Sequence, residues 1–91
     1  MGEREESGIT SGDARAATLA LLSHRAPGAT ICPSEVAREI AAAAGQADWR
    51  AAMPTVHEAV DSMVAEGRVR LSWKGEAMAA REGPYRIGPA A

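Results

Sequence analysis

The chain has 91 residues, with ten Lys and Arg against twelve Asp and Glu and a formal net charge of −2; this length suits one domain with one core, and no run approaches the ~18 apolar residues of a membrane-spanning helix. Its 46% apolar content is largely alanine, with no Phe, one Tyr and two Trp, so large core side chains are few and each is expected to matter to packing. The lone Cys32 excludes an internal disulfide and a cysteine-built zinc site, the charged residues 1–7 are unlike a secretory signal, and a reducing cytoplasm is the expected compartment.

Residues 1–9 show no apolar periodicity before Ile9 and are expected to form a disordered lead. Thr10-Ser11-Gly12-Asp13 fits a capping box, the Thr10 hydroxyl meeting a helix amide and Asp13 reaching back. Ala14, Ala17, Thr18, Leu21 and Leu22 then share one stripe of a helix over about 11–25, with Leu19 off the stripe. Ala26-Pro27-Gly28 ends it. Residues 29–32 are short and partly β-branched, suited to a brief extra strand. The next helix, over about 34–44, is capped by Ser34, or else begins with Pro33 at its first position and Glu35 at its third. Val36, Ala37, Ile40 and Ala44 form its expected buried stripe, and Gly45 stops it.

Asp48 is placed to cap a single turn starting at Trp49, which is read as a wedge in the corner between helices, helped by Met53. Pro54 cannot lie deep in a helix, so a fresh one begins there, with Pro54 in its first turn. Val56, Val60, Met63 and Val64 share its apolar face, flanked by Ala59 and His57. Thr55, Glu58, Ser62 and Ala65 point outward, with Asp61 and Glu66 at the edges. After Gly67, Val69, Leu71 and Trp73 alternate with Arg68, Arg70, Ser72 and Lys74, a strand with one buried face. Tyr85 and Ile87 alternate with Arg86 in a second short strand. Residues 75–84 connect them as a flexible wing too long for a tight turn, and 88–91 read as a tail, the domain ending at about residue 88.

Three helices followed by a hairpin give an α+β chain in winged-helix order: a helix-turn-helix core with a C-terminal wing. The segments Ile31-Cys32-Pro33-Ser34-Glu35-Val36-Ala37-Arg38, Asp48-Trp49-Arg50 with Met53-Pro54, and Ala65-Glu66-Gly67-Arg68 resemble a small bacterial family of unknown function. Its members are placed among winged-helix-like domains. The resemblance covers about residues 13–88 and implies the fold; it implies no activity and no catalytic residues.

Charge separates the two candidate contact elements. Residues 54–67 carry three acids and no Lys or Arg, whereas residues 68–91 carry five basic residues and two acids. In a helix-turn-helix the second helix enters the major groove and the wing touches the backbone. The acidic helix opposes phosphate attraction, which supplies most nonspecific affinity. The basic hairpin suits it. The expected nucleic-acid contacts are therefore Arg68, Arg70, Lys74, Arg86 and Arg81 in the wing, with Thr55 and Ser62 on the helix. The competing reading is a protein-interaction or dimerisation module that has lost DNA binding, so the expected partner is duplex DNA, another protein or a second copy, and not a membrane.

Catalytic and metal readings are weaker. His24, His57 and Cys32 lack ligand spacing. His57 reads as a packed histidine and Cys32 as a small buried thiol. Glu35 and Glu39, one turn apart, read as a solvated helix face. No glycine-rich phosphate loop is present, so the expectation is a non-enzymatic domain without cofactor.

Overall fold

The computed structural model describes residues 9–90. The expected lead falls outside the described residues except for Ile9. Helix α1 (Ser11–Ser23) begins with the capping box read from sequence. The Thr10 hydroxyl accepts the Asp13 amide at 3.1 Å, and the Asp13 carboxylate accepts the Thr10 amide at 3.0 Å. Helix α2 (Pro33–Ala43) takes the earlier of its two expected starts, with Pro33 in first position. Ser34 is therefore inside the helix rather than its cap. Glu35 receives the Cys32 amide at 2.9 Å, which ties the first turn to the preceding chain.

Val36, Ala37 and Ile40 of α2 are buried as expected, but Ala41, not Ala44, completes the stripe. The helix ends at Ala43, so Ala44 lies past the last full turn and is exposed. A 3₁₀ turn (Trp49–Ala52), capped by Asp48, leads into α3 (Met53–Ala65) with Pro54 in its first turn. Proline is tolerated there because the first amides of a helix have no partner within it.

The sheet is antiparallel, in the order β2-β1-β3, from β1 (Val69–Trp73), β2 (Glu76–Met78) and β3 (Arg86–Pro89). Ile31 adds an isolated bridge to Ile87, with reciprocal bonds of 2.8 Å, so the brief strand expected at 29–32 is reduced to one residue. The wing differs from the sequence reading. Its first part is a tight hairpin in which Trp73 faces Glu76 across a two-residue turn. Lys74 and Gly75 have φ of 51° and 84°, the left-handed pair that a type I′ turn requires. The alternation of the preceding run hid this turn, because lysine is an uncommon first residue for it. Gly88 and Pro89, expected in the tail, belong to β3.

One core joins the three helices to the inner sheet face. Val36, Ile40, Val56, Val60 and Met63 meet Ile31, Leu71 and Ile87, all at most 5% exposed. Trp73 shares the inner-face parity of Val69 and Leu71, but it is 39% exposed, against the expectation of burial. It stands at the turn end of the strand, next to the exposed tip residues 74–77, where the sheet has passed the core. The order of elements and the helices packed on one sheet face form an α+β arrangement compatible with a winged helix. Among the described residues no helix is long and apolar enough to cross a membrane.

Candidate functional site

The outer sheet face is set by register. Leu71 pairs with Ile87 toward the core, so the adjacent pairs Arg70–Gly88 and Ser72–Arg86 point the other way. Arg70 and Arg86 are thus diagonal neighbours on one face, within reach for long side chains. Arg68 precedes this strand, Lys74 follows it at the turn, and both are exposed. Among the described residues no acid forms an ion pair with Arg68, Arg70 or Lys74, although the Arg68 charge is near enough to Glu66 to help hold that carboxyl down. Arg86 is half-buried and differently held. Its Nε donates to the Thr30 hydroxyl at 2.9 Å and its guanidinium nitrogen to the Thr30 carbonyl at 3.0 Å. Glycine at 88 makes room for this arrangement, since a Cβ there would sit 3.2 Å from the Thr30 methyl. Arg86 therefore braces the sheet against the segment before α2 while its charge stays on the basic face.

The acids of α3 and its C-terminal cap, Glu58, Asp61 and Glu66, are not the open surface that their number implies. Arg81 grips Asp61 through two bonds of 2.7 and 2.9 Å. Arg15 of α1 grips Glu66 through two of 2.7 and 3.2 Å. Each carboxyl is held below its usual range, first by the hydrogen bonds from its arginine. Each arginine is raised by the same contact. Only Glu58 of the three makes no ion pair among the described residues. Sequence-local reading missed both pairs because Arg15 lies 51 residues from Glu66, and Arg81 lies 20 from Asp61. The structure thus removes Arg81 from the open cations and leaves Arg68, Arg70 and Lys74. Thr55 is half-buried near the start of α3 and Ser62 is exposed on its outer side; neither lies on the sheet.

The loop 79–85 is fastened to α3 twice. Besides the Arg81–Asp61 pair, the Tyr85 hydroxyl and His57 Nδ1 share a hydrogen bond of 2.7 Å. Tyr85 is buried, and that burial pushes its phenol up to about 12. Burial lowers His57, and the nearby Arg81 charge adds to the effect. His57 is the packed histidine expected, with a polar partner not visible in sequence. Cys32 is half-buried, its Sγ 3.1 Å from the Ser34 hydroxyl. Glu35 is no solvated carboxylate: it binds both the Cys32 amide and Arg25. Among the described residues no three His, Cys, Asp or Glu side chains converge as a metal site would need.

A second feature lies away from the sheet. An open groove of about 660 Å³ runs between α1 and α2, floored by Ala17, Ala20, Leu21, Ile40 and Ala43, with Asp13, His24 and Glu39 also lining it.

The chain belongs to the family described as a protein of unknown function (DUF3253), whose model matches residues 12–90. A comparison with curated proteins finds no match. The family covers the whole folded unit from α1 to β3, and the segments around Cys32 and Trp49 that carried the resemblance lie within it.

Proposed function

We propose that this domain is a non-enzymatic, cytoplasmic nucleic-acid-binding module with a transcription-associated role, which holds duplex DNA mainly through the outer face of β1. The observation that carries this reading is the charge arrangement. Arg68, Arg70 and Lys74 are exposed and form no ion pair among the described residues, whereas two of the three acids of residues 54–67, Asp61 on α3 and Glu66 at its cap, are paired with arginines. The repulsion that argued against an adjoining phosphate backbone is therefore reduced to Glu58. Arg86 adds a fixed charge to the same face. Arg81 contributes indirectly by covering Asp61, and Thr55 and Ser62 supply neutral donors beside the backbone.

Lys74 gives a second, local support. It holds a left-handed backbone that costs a non-glycine residue roughly 1 kcal/mol or more. Asparagine suits this position without that cost. A lysine kept there places a cation at the hairpin tip, in line with strain retained at functional sites.

The test is titration of mixed-sequence duplex DNA. Nonspecific affinity of roughly 10⁻⁴–10⁻⁶ M at physiological salt, tightening as salt falls, is the expected result. No binding at low salt would end this reading. The α1–α2 groove favours a second reading, a protein-interaction or dimerisation module. Light scattering that shows a dimer, together with absent DNA binding, would favour it.

A further inference from the structure

The corner between α2 and α3 carries a cationic feature separate from the sheet. Trp49 is half-buried against the core, and two guanidiniums lie over its ring. The Arg38 Cζ is 4.6 Å from the ring centroid and the Arg50 Cζ is 4.7 Å away. Both arginines are exposed, and neither has an ion-pair partner among the described residues. Of the neighbouring acids, Glu35 is held by Arg25 and the Cys32 amide, and Asp48 caps the turn that carries Arg50, accepting its backbone amide at 3.1 Å. Glu39 is exposed at the α1–α2 groove, and none of the three forms an ion pair with either arginine among the described residues. The ring's negative face attracts each guanidinium but cancels neither charge. The result is two planar donor forks of like sign, steadied by one aromatic ring and open to solvent. Phosphate oxygens are the anions that such forks bind best, because several donors meet one tetrahedral group.

The position of the corner matters. Arg50 lies three residues before the first residue of α3, and Arg68 three residues after its last. The helix between them has 13 residues, about 20 Å at 1.5 Å per residue. Cations therefore stand at both ends of the helix. A duplex offers two phosphate rails on either side of a major groove about 12 Å wide. The helix is longer than that width, so contact from both ends requires it to cross the groove obliquely, with the long arginine side chains reaching the rails.

We propose that Arg38 and Arg50, steadied by Trp49, form a phosphodiester-binding corner, so that a duplex is gripped at both ends of α3. This rests on nucleic acid being the ligand of the β1 face, and it adds a contact which that reading does not require.

The experiment compares the salt dependence of duplex binding for the unaltered protein, Arg38→Gln/Arg50→Gln, and Arg70→Ala/Lys74→Ala. Each phosphate contact contributes about 0.9 to the slope of log K against log salt. The Gln pair should therefore flatten the slope by about 1.8, which corresponds to about 60-fold weaker binding near 0.1 M salt. Arg38→Lys/Arg50→Lys keeps both charges and should keep the slope. Trp73→Phe leaves Trp49 as the single tryptophan, and its emission should change on saturation with duplex. If the Gln pair binds with unaltered slope and affinity while Arg70→Ala/Lys74→Ala binds weakly, the corner proposal fails and the β1 reading stands. If the Gln pair is unfolded, unchanged Trp49 emission at saturation overturns the proposal. If the unaltered protein binds no duplex, both readings fall.

Discussion

Tyr85 should resist ionisation until about pH 12, and the consequence for stability is specific in sign and size. The residue is 4% exposed, its hydroxyl meets His57 at 2.7 Å, and burial is the main reason its phenol is pushed up to about 12 from 10.0. Up to the unfolded value the phenol is protonated in both states, and its contribution is complete. As pH rises from there to the folded value, the unfolded chain loses the proton while the folded chain keeps it. Stability is lost over this window, by up to about 1.4 kcal/mol per pH unit and by about 1–3 kcal/mol in total once solvent screening is allowed for. The assay is direct because Tyr85 is the single tyrosine of the chain. Phenolate absorbance reports its ionisation, circular dichroism at each pH reports the fold, and Tyr85→Phe should lack this part of the alkaline loss. A phenolate midpoint near the ordinary 10.0 with the fold intact would show a hydrated ring. The attachment of loop 79–85 to α3 would then be wrong.

His57 gives the matching acid-side prediction. Its value lies below the ordinary 6.5, so its contribution is present above that pH and is lost as pH falls below it. Denaturation curves between about pH 7 and about pH 5 should show this loss, and His57→Gln should lack it. Ile87→Ala should destabilise by about 2–5 kcal/mol in chemical denaturation, because Ile87 is fully buried and pairs with both Leu71 and Ile31. Lys74→Asn should stabilise by about 0.5–1 kcal/mol by relieving the φ of 51°, while weakening duplex binding; tighter binding would contradict a role for the Lys74 charge. Asp61→Asn removes a charge from α3 and releases Arg81, so duplex binding should tighten and its salt slope steepen. Weaker binding would instead mean that the Arg81–Asp61 clamp positions the contact surface.

The fold was legible where local chemistry and periodicity agreed. Thr10 and Asp13 bracket the start of α1, Pro33 and Pro54 can occupy only a first helical turn, and Val69, Leu71 and Ile87 alternate as strand residues must. The sheet was less legible at its margins. Trp73 kept the right parity but lay beyond the reach of the core, which alternation does not encode. Lys74 concealed a turn that asparagine would have announced. The electrostatics of the candidate site were legible only in part. Counting charges along the chain gave an acidic helix beside a basic hairpin. The pairings Arg15–Glu66 and Arg81–Asp61 join residues far apart in sequence, and only the folded chain shows that they mask most of that acidity. The stack of Arg38 and Arg50 on Trp49 belongs to the same class: three residues on two elements, with no spacing signal to connect them.

The central claim is that the outer face of β1 meets phosphate. The most direct measurement is the salt dependence of mixed-sequence duplex binding by the unaltered protein and by Arg70→Ala/Lys74→Ala. Loss of two phosphate contacts should lower the slope of log K against log salt by about 1.8 and weaken binding for every sequence alike. A slope and affinity equal to those of the unaltered protein would contradict the account and place the contact elsewhere on the molecule.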